Sequence, residues 1–254
     1  AEVTVLMKPN ADPHSFGVSA QEANTMRTAG LVVYNGLGLE EGIQQHVDAA
    51  NADGVPTLEA AAQARPLPFR AGDEAGALDP HFWTDPTRMK DAAQAISHAL
   101  AKVERVDQDQ LRKSTDTYLG VLGELDQSME RQFNAIPPDR RKLVTTHHVF
   151  GYLADRYDFA VIGAIIPSGT TLASPSSSDL ASLSNAVRDS GVPAVFVDTS
   201  QPGRLAKALA GETGTTVAIV PLYSESLDRP GTDADTYVKM MQTNTSRIST
   251  ALAR

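Results

Sequence analysis

Three short stretches and one carboxylate carry the residue types that could do chemistry in this chain. The stretches are Asp12-Pro13-His14, Asp79-Pro80-His81 and Thr145-Thr146-His147-His148, and the carboxylate is Glu225 within Ser224-Glu225-Ser226. One histidine from each stretch, together with the carboxylate, would give three nitrogen ligands and one oxygen ligand. That donor set suits a borderline cation such as Zn²⁺. The stretches therefore predict a metal site built from loops that lie far apart in the sequence.

The simplest alternative interpretation gives these residues no chemical role. An Asp-Pro pair often makes only a turn, and Glu225 in a loop is by itself typical of a surface carboxylate. The recurrence of Asp-Pro-His favours a metal role for His14 and His81. We expect Asp12 and Asp79 to cap helix starts; the alternative role is to orient the imidazoles by accepting a hydrogen bond.

Other residues complete the set of candidates. A carboxylate ligand is expected, because three neutral histidines leave Zn²⁺ with its full charge and one carboxylate completes a tetrahedron. Glu225 is the preferred carboxylate, and Asp228 is the alternative. His46 and His98 fall within helical patterns and are interpreted as ordinary helix residues. We expect Phe82-Trp83 to pack beside the site and exclude water.

The composition excludes several classes of protein. The 254-residue chain is 41% apolar and 21% charged, as in ordinary globular proteins. Its net charge of −9 argues against nucleic acid as a partner, because phosphate binding needs a basic surface. The chain has no cysteine, so a metal site must use histidine and carboxylate. No apolar run approaches the roughly 20 residues of a membrane span, and we expect any signal peptide to have been removed.

Hydrophobic patterns predict the elements that position these residues in the first part of the chain. Glu2 to Met7 alternate and are interpreted as a strand that leads to His14. Ser19 is a predicted N-cap with Glu22 at the capping-box position. Further strands are expected at Leu31–Tyr34 and Val55–Leu58, and further helices at Ile43–Asn51 and Thr87–Val103.

A long helix is predicted from Asp107 to Ala135, ended by Pro137-Pro138. Its ~29 residues would span roughly 43 Å, which is longer than one small lobe. Apolar residues recur on one stripe of this helix, which we expect to face the core: Tyr118, Leu122 and Met129 among them. The helix is therefore interpreted as a rigid strut between two lobes.

Beyond this helix, strands and helices alternate, as in a parallel sheet covered by helices. The predicted strands are Leu143–Thr146, Phe159–Ile166, Ala194–Val197 and Thr216–Val220. The predicted helices are Val149–Tyr157, Ser178–Ser190, Pro202–Gly211 and Asp233–Ala253. We expect Ser177 or Ser178 to cap the second of these helices.

Five motifs in order resemble those of the solute-binding proteins of ABC-type zinc and manganese importers. The motifs cover nearly the whole chain: Asp12-Pro13-His14-Ser15-Phe16, Tyr34-Asn35-Gly36-Leu37-Gly38-Leu39-Glu40, Asp79-Pro80-His81-Phe82-Trp83-Thr84-Asp85-Pro86, His147-His148-Val149-Phe150-Gly151-Tyr152 and Asp235-Thr236-Tyr237-Val238-Lys239-Met240-Met241. The resemblance implies an α/β fold of two lobes, with mostly parallel sheets flanked by helices and joined by one long helix.

The same resemblance implies where the lobes lie. Residues 1–106 would form the N-terminal lobe, residues 107–136 the linking helix and residues 137–254 the C-terminal lobe. The N-terminal lobe is expected to lack the strand and helix, roughly 25 residues, that usually open it in the family. Many zinc-specific members carry a loop rich in histidine and acid; the loop at residues 66–76 has no histidine, so no auxiliary site is expected there.

Carried over by position, the metal ligands would be His14, His81, His147 and Glu225. His147 is preferred to His148 because the family motif places the ligand five residues before Tyr152. The position of Glu225 is usually an aspartate in the family, and the longer glutamate leaves open whether one or both of its oxygens bind.

The resemblance implies a receptor that is not an enzyme. It would capture Zn(II) as its transported ligand outside the cytoplasm, free in a periplasm or lipid-anchored, and deliver it as a monomer to the membrane permease of an ABC importer. The alternatives are a Mn(II) receptor of the same family, a zinc hydrolase, a surface adhesin and a metal chaperone without a transporter. A hydrolase is disfavoured because the chain has no His-Glu-x-x-His helix.

Overall fold

The computed structural model describes residues 2–201, 203–212 and 216–253. Along the first part of the chain, helices and strands follow as α1 (Ala20–Arg27), β1 (Val32–Tyr34), α2 (Gln44–Ala52), β2 (Thr57–Glu59), α3 (Ala60–Gln63), α4 (Pro86–Leu100) and α5 (Gln108–Asn134). They continue as β3 (Lys142–Thr145), α6 (Gly151–Tyr157), β4 (Ala160–Ala164), α7 (Ser177–Ser190), β5 (Ala194–Asp198), α8 (Arg204–Glu212), β6 (Ala218–Leu222) and α9 (Tyr237–Leu252).

The N-terminal part is built on the parallel pair of β1 and β2, in which Val33 lies opposite Leu58. The helix α1 begins with the predicted capping box, since the side chain of Ser19 accepts from the backbone of Glu22 and the carboxylate of Glu22 accepts in return. A core of buried apolar side chains joins α1, β1 and α2: Met26, Val32, Ile43, Val47, Ala50 and Val55.

The C-terminal part contains two parallel pairs of strands, β3 with β4 and β5 with β6. The strand β3 also lies beside β5, with α7 against β4 and α9 against β5 and β6. The expected α/β fold of two lobes with parallel strands and flanking helices is confirmed. The lobe boundaries at residues 106 and 136 stay a prediction.

The helix α5 links the two parts. It has 27 residues, which correspond to roughly 40 Å. Its first turn is capped by the side chain of Asp107. It packs against α4 on one side and against α6 and α9 on the other. Its buried residues belong to the core of the C-terminal part: Leu122, Leu125, Met129 and Phe133.

Three local predictions are wrong. The described residues 2–6 form no strand, because no neighbouring strand pairs with them, and Val3 and Val5 are 82% and 78% exposed. Tyr118 is 36% exposed, because the N-terminal half of α5 meets α4 through polar groups such as Thr115 rather than through a core. Ser176 caps α7, rather than either of the two serines that follow it.

Two further expectations concern the start of α8 and a membrane-spanning helix. Pro202, the predicted first residue of α8, lies outside the described residues. Among the described residues, no helix has both the length and the apolar character needed to cross a membrane.

Candidate metal centre

His147 lies just beyond the carboxyl end of β3, where open α/β sheets present their ligand-binding residues. The hydroxyl of Thr145 donates to the carbonyl oxygen of His147 at 2.7 Å. The hydroxyl of Thr146 accepts the backbone N–H of Asp198, at the end of the neighbouring strand β5, at 2.9 Å. These bonds fix the turn, and the side chain of His147 is fully buried.

His14 reaches the same place from the N-terminal part. The carboxylate of Asp12 accepts the backbone N–H of His14 at 3.0 Å, which fixes the turn that follows the proline. The second carboxylate oxygen of Asp12 accepts from the hydroxyl of Thr171 at 2.5 Å and from the amide of Gln201 at 2.7 Å. Asp12 therefore ties the His14 loop to the C-terminal part and caps no helix.

The imidazole of His81 is oriented by Asp79. One carboxylate oxygen of Asp79 accepts the backbone N–H of His81 at 2.9 Å and lies 2.7 Å from its Nδ1. With Nδ1–H donated to this carboxylate, Nε2 is left to face the centre. The expectation that Asp12 and Asp79 cap helices is wrong; the cap of α4 is the nearby Asp85.

Glu225 lies in a loop that is held on both sides through Ser224. The carboxylate of Asp198 accepts the backbone N–H of Ser224 at 3.0 Å and its hydroxyl at 2.5 Å. The indole N–H of Trp83, from the N-terminal part, donates to the carbonyl oxygen of Ser224 at 2.9 Å. These contacts place the neighbouring glutamate in the interior, where it is 5% exposed.

The four predicted ligands converge. His14, His81, His147 and Glu225 each offer a ligand atom, and these atoms all lie within 4.8 Å of one another. One oxygen of Glu225, Oε1, lies 3.1 Å from Nε2 of His147, and the other, Oε2, lies 3.9 Å from Nε2 of His14. Nε2 of His81 lies 3.4 Å from that of His14. All four side chains are buried.

Several polar atoms at this centre have no hydrogen-bond partner. They are Nδ1 of His14, both ring nitrogens of His147 and both carboxylate oxygens of Glu225; the 3.1 Å contact between Nε2 of His147 and Glu225 is an ion-pair contact that is not aligned as a hydrogen bond. A buried polar atom without a partner costs free energy, roughly 1–3 kcal/mol each and more for a charged group. A cation among these atoms would bind the carboxylate of Glu225 and one nitrogen of each imidazole, so the donor set fits a metal ion.

The neutral state of two of the three histidines also favours the binding of a cation. Burial lowers the pKa of His14 to about 4 and that of His81 to about 3, so both are neutral at pH 7. Burial also acts to lower the pKa of His147, but the facing Glu225 carboxylate outweighs it and the pKa is raised. Burial raises the pKa of Asp79 to about 7. A metal needs neutral imidazoles, and two of the three are neutral beforehand.

The other candidates lie outside the cluster. The backbone N–H of His148 donates to the carbonyl oxygen of Ser168, and the His148 ring lies against Gly72. His46 and His98 belong to α2 and α4, as expected. Asp228 is not a member of the group. Among the described residues, no other group of three or more histidines, aspartates or glutamates could hold a metal ion.

Aromatic rings lie beside His81. The ring of Trp83 lies 5.2 Å from that of His81, and the ring of Phe69 lies 6.1 Å from it. Phe82 is buried beside Trp83.

The sequence analysis did not select Asp198 as a residue of the site. Its position at the carboxyl end of β5 is the same kind of signal that pointed to His147 at the end of β3.

The two-lobed α/β fold and the buried cluster of three histidines and a glutamate define a metal-binding receptor. The chain matches the family described as zinc-uptake complex component A, periplasmic (ZnuA), over residues 1–251, and it belongs to that family. Membership confirms the predicted resemblance. It also confirms an extracytoplasmic location, because the family is periplasmic and several relatives are named lipoproteins.

Individual relatives cover almost the whole chain. Zinc-binding protein TroA of Treponema pallidum is 29% identical over 98% of this chain and 81% of its own length. Its solved structure superposes with a TM-score of 0.90 at 28% identity, over 98% of this chain and 90% of that chain. Manganese-binding lipoprotein MntA of Bacillus subtilis is 30% identical over 99% of this chain and 82% of its own length.

The names of the relatives agree on the class and differ on the metal. Besides the zinc and manganese proteins, iron-binding protein YfeA of Yersinia pestis is 24% identical over 98% of this chain and 78% of its own length. This chain is therefore a metal-binding substrate receptor of an ABC importer, in a family of receptors rather than enzymes.

Proposed function

We propose that this protein captures Zn²⁺ outside the cytoplasm and delivers it, as a monomer, to the membrane permease of an ABC importer. The ligands in this proposal are His14, His81, His147 and Glu225. The observation that carries it is the convergence of these four buried side chains, with atoms left unpaired, at one point between the two parts of the chain. No role with nucleic acid is proposed, in view of the net charge of −9.

The donor set supports Zn²⁺ as the metal. Three imidazoles and one carboxylate make the tetrahedral set that Zn²⁺ accepts, whereas Mn²⁺ prefers oxygen ligands. A net charge of +1 remains after Zn²⁺ meets one carboxylate and three neutral imidazoles, which is milder than the +2 left by histidines alone.

Capture rather than catalysis is the proposed role. Four protein ligands close a tetrahedral shell and leave no position for the bound water that a zinc hydrolase requires. His14 and His81 come from the N-terminal part, and His147 and Glu225 come from the C-terminal part. Binding therefore holds the two parts together, and the metal favours the closed state by its higher affinity for it.

A Mn²⁺ receptor is the second candidate, and two observations favour it. A relative named as manganese-binding is 30% identical to this chain. In addition, both oxygens of Glu225 lack a hydrogen-bond partner, so both could bind and raise the coordination number. Such a five-donor set would suit Mn²⁺ better than a tetrahedron does.

One pair of measurements tests the proposal. The metal content of protein purified from cells grown in medium with trace metals should show Zn²⁺ at close to one per chain. A competition titration against a chromophoric chelator should then give a lower Kd for Zn²⁺ than for Mn²⁺. Mn²⁺ binding more tightly than Zn²⁺ would reject the zinc assignment in favour of the second candidate. Failure to bind either metal would reject the whole proposal.

A further inference from the structure

Tyr152 connects the two parts of the chain through its hydroxyl. This residue of α6 is fully buried. Its hydroxyl accepts the backbone N–H of Leu67 at 2.9 Å and donates to the carbonyl oxygen of Asp79 at 2.5 Å. Both partners belong to the N-terminal part, so the hydroxyl of one tyrosine in the C-terminal part bridges two segments of the other part.

Asp79 is held at both of its ends. Its backbone N–H donates to the carbonyl oxygen of Leu67 at 2.8 Å, and its own carbonyl oxygen accepts from Tyr152. Its carboxylate holds the backbone and Nδ1 of His81. A shift of the Asp79 backbone would therefore move the carboxylate that sets the direction of the imidazole.

Gly151 allows this approach. A β-carbon at Gly151 would lie 2.8 Å from the second carboxylate oxygen of Asp79, closer than real β-carbons come to such an atom. Glycine at the start of α6 therefore lets the helix sit directly against Asp79. His147 precedes this helix by a few residues, so one segment supplies a proposed ligand and also touches the residue that orients a second.

The chemistry of the Tyr152 hydroxyl suits a donor. Burial raises its pKa to about 12, so the hydroxyl keeps its proton across the physiological range. The guanidinium of Arg88 lies over its ring, 5.0 Å from the centroid, and restricts the movement of the ring. The hydroxyl thus has a fixed position and a permanent proton.

We propose that Tyr152 is a positioning residue for the metal centre, which acts through Asp79 to aim Nε2 of His81 at the cation. The proposal rests on the proposed function, since it assumes that His81 is a ligand. It assigns Tyr152 a role across the cleft: the segment that carries one ligand sets the orientation of another ligand in the opposite lobe.

The test compares Tyr152→Phe with a matched control in the same helix. Tyr157 is also buried in α6, and its hydroxyl donates to the carboxylate of Asp126, away from the centre. We expect Tyr152→Phe to weaken Zn²⁺ binding by about 10- to 100-fold, as for other residues that orient a metal ligand. It should also change the visible absorption bands of the Co²⁺-loaded protein, which report ligand geometry. Tyr157→Phe should lower the melting temperature and leave both binding readouts as in the parent.

A double variant separates positioning from a general loss of structure. In a His81→Ala background, Tyr152→Phe should cause no further loss of Zn²⁺ affinity, because the imidazole through which it acts is gone. The same loss in both backgrounds would overturn the proposal, as would an unchanged affinity and Co²⁺ spectrum in the single variant. If Tyr152→Phe fails to fold, Gly151→Ala, which pushes against the Asp79 carboxylate, tests the step from Asp79 to His81 in the same cycle, and an unchanged affinity and Co²⁺ spectrum there would overturn the proposal.

The two proposals fail in different ways. If His147→Ala and His81→Ala both bind Zn²⁺ like the parent, the proposed ligand set is wrong. If those two variants lose binding and Tyr152→Phe does not, only the positioning role is wrong.

Discussion

At the scale of single residues, the three histidines of the centre differ in their protonation. His14 and His81 are neutral at pH 7 because burial disfavours their charged forms, whereas His147 faces Glu225 and keeps a raised pKa. In the absence of a cation, a proton on His147 is therefore the charge that best balances the buried carboxylate. With the proposed ligands, metal binding would exchange that proton for a cation.

The first prediction separates the two adjacent histidines. His147→Ala should weaken Zn²⁺ binding by about 1000-fold or more, because a proposed ligand is lost and the Glu225 carboxylate loses its nearest neighbour. His148→Ala is the matched control and should bind close to the parent. Calorimetric or competition titration of both variants checks this, with circular dichroism to verify the fold. Stronger loss in His148→Ala than in His147→Ala would reverse the assignment.

The second prediction concerns pH. As pH falls through the raised pKa of His147, protons compete with Zn²⁺ and the affinity falls, by about tenfold per pH unit for one proton. His14 and His81 add nothing until far lower pH, because their pKa values are lowered. Asp79 adds a fraction of a proton near pH 7. Titration between about pH 5 and 8 measures the slope. A thousandfold loss per unit would mean that all three histidines are charged.

At the scale of elements, the carboxyl ends of β3 and β5 hold the second half of the centre. Asp198 ends β5 and fixes Ser224, next to Glu225, through two hydrogen bonds. The backbone of Asp198 is tied in turn to Thr146, next to His147. The two proposed ligands of the C-terminal part are thus positioned by one pair of neighbouring strand ends.

The third prediction follows from this arrangement. Asp198→Ala should weaken Zn²⁺ binding by about tenfold or more and lower the free energy of unfolding by roughly 2 kcal/mol, since buried donors lose a charged acceptor. Asp179→Ala is the control, because Asp179 belongs to the exposed capping box of α7 and its carboxylate bonds to Ser176. It should cost stability alone. An unchanged affinity in Asp198→Ala would show that the Glu225 loop is held by other contacts.

At the scale of the whole molecule, the two parts meet through contacts that need no metal. Near α5, the hydroxyl of Tyr237 donates to the carbonyl oxygen of Trp83 at 2.7 Å. In a second contact between the two parts, the carboxylate of Glu74 accepts from the hydroxyl of Ser168 at 2.5 Å and from the backbone N–H of Gly169 at 2.8 Å. With α5 packed against both parts, these contacts favour small opening motions over wide hinge bending.

The fourth prediction concerns release of the metal. Burial acts to raise the pKa of Glu74, but hydrogen bonds from Ser168 and Gly169 outweigh it and the pKa is lowered, so the carboxylate is charged when it bridges the two parts. Opening must break these bonds. Glu74→Ala removes both bonds and should therefore speed Zn²⁺ release to a chelator by about tenfold, if the two bonds of this half-exposed carboxylate together contribute roughly 1.5 kcal/mol. Stopped-flow mixing measures the rate.

Asp73→Ala is the control for that experiment. Asp73 lies in the same loop, and its bond to the C-terminal part uses the backbone N–H, which donates to Pro167 and survives the substitution. Its release rate should equal that of the parent. Equal acceleration in both variants would assign the effect to the loop as a whole rather than to the Glu74 carboxylate.

The parts of the site and fold that the sequence predicted are those that depend on residues close together in the chain. The Asp-Pro-His turns and the strand-to-helix junction at His147 identified the donor residues, because their geometry depends on near neighbours. The capping box at Ser19 and the length of α5 were predicted for the same reason. The strand at residues 2–7 was wrong, because alternation alone supplies no pairing partner.

The amino-acid sequence by itself determined the donor types, the order of strands and helices and the long link between them, since each is written in spacing and composition. The tertiary structure decided that His14, His81, His147 and Glu225 meet, and that His148 and Asp228 do not. It also decided that Asp79 orients an imidazole instead of capping a helix. These outcomes depend on hydrogen bonds between residues far apart in the chain, such as those of Tyr152 and Asp198, which no local pattern contains.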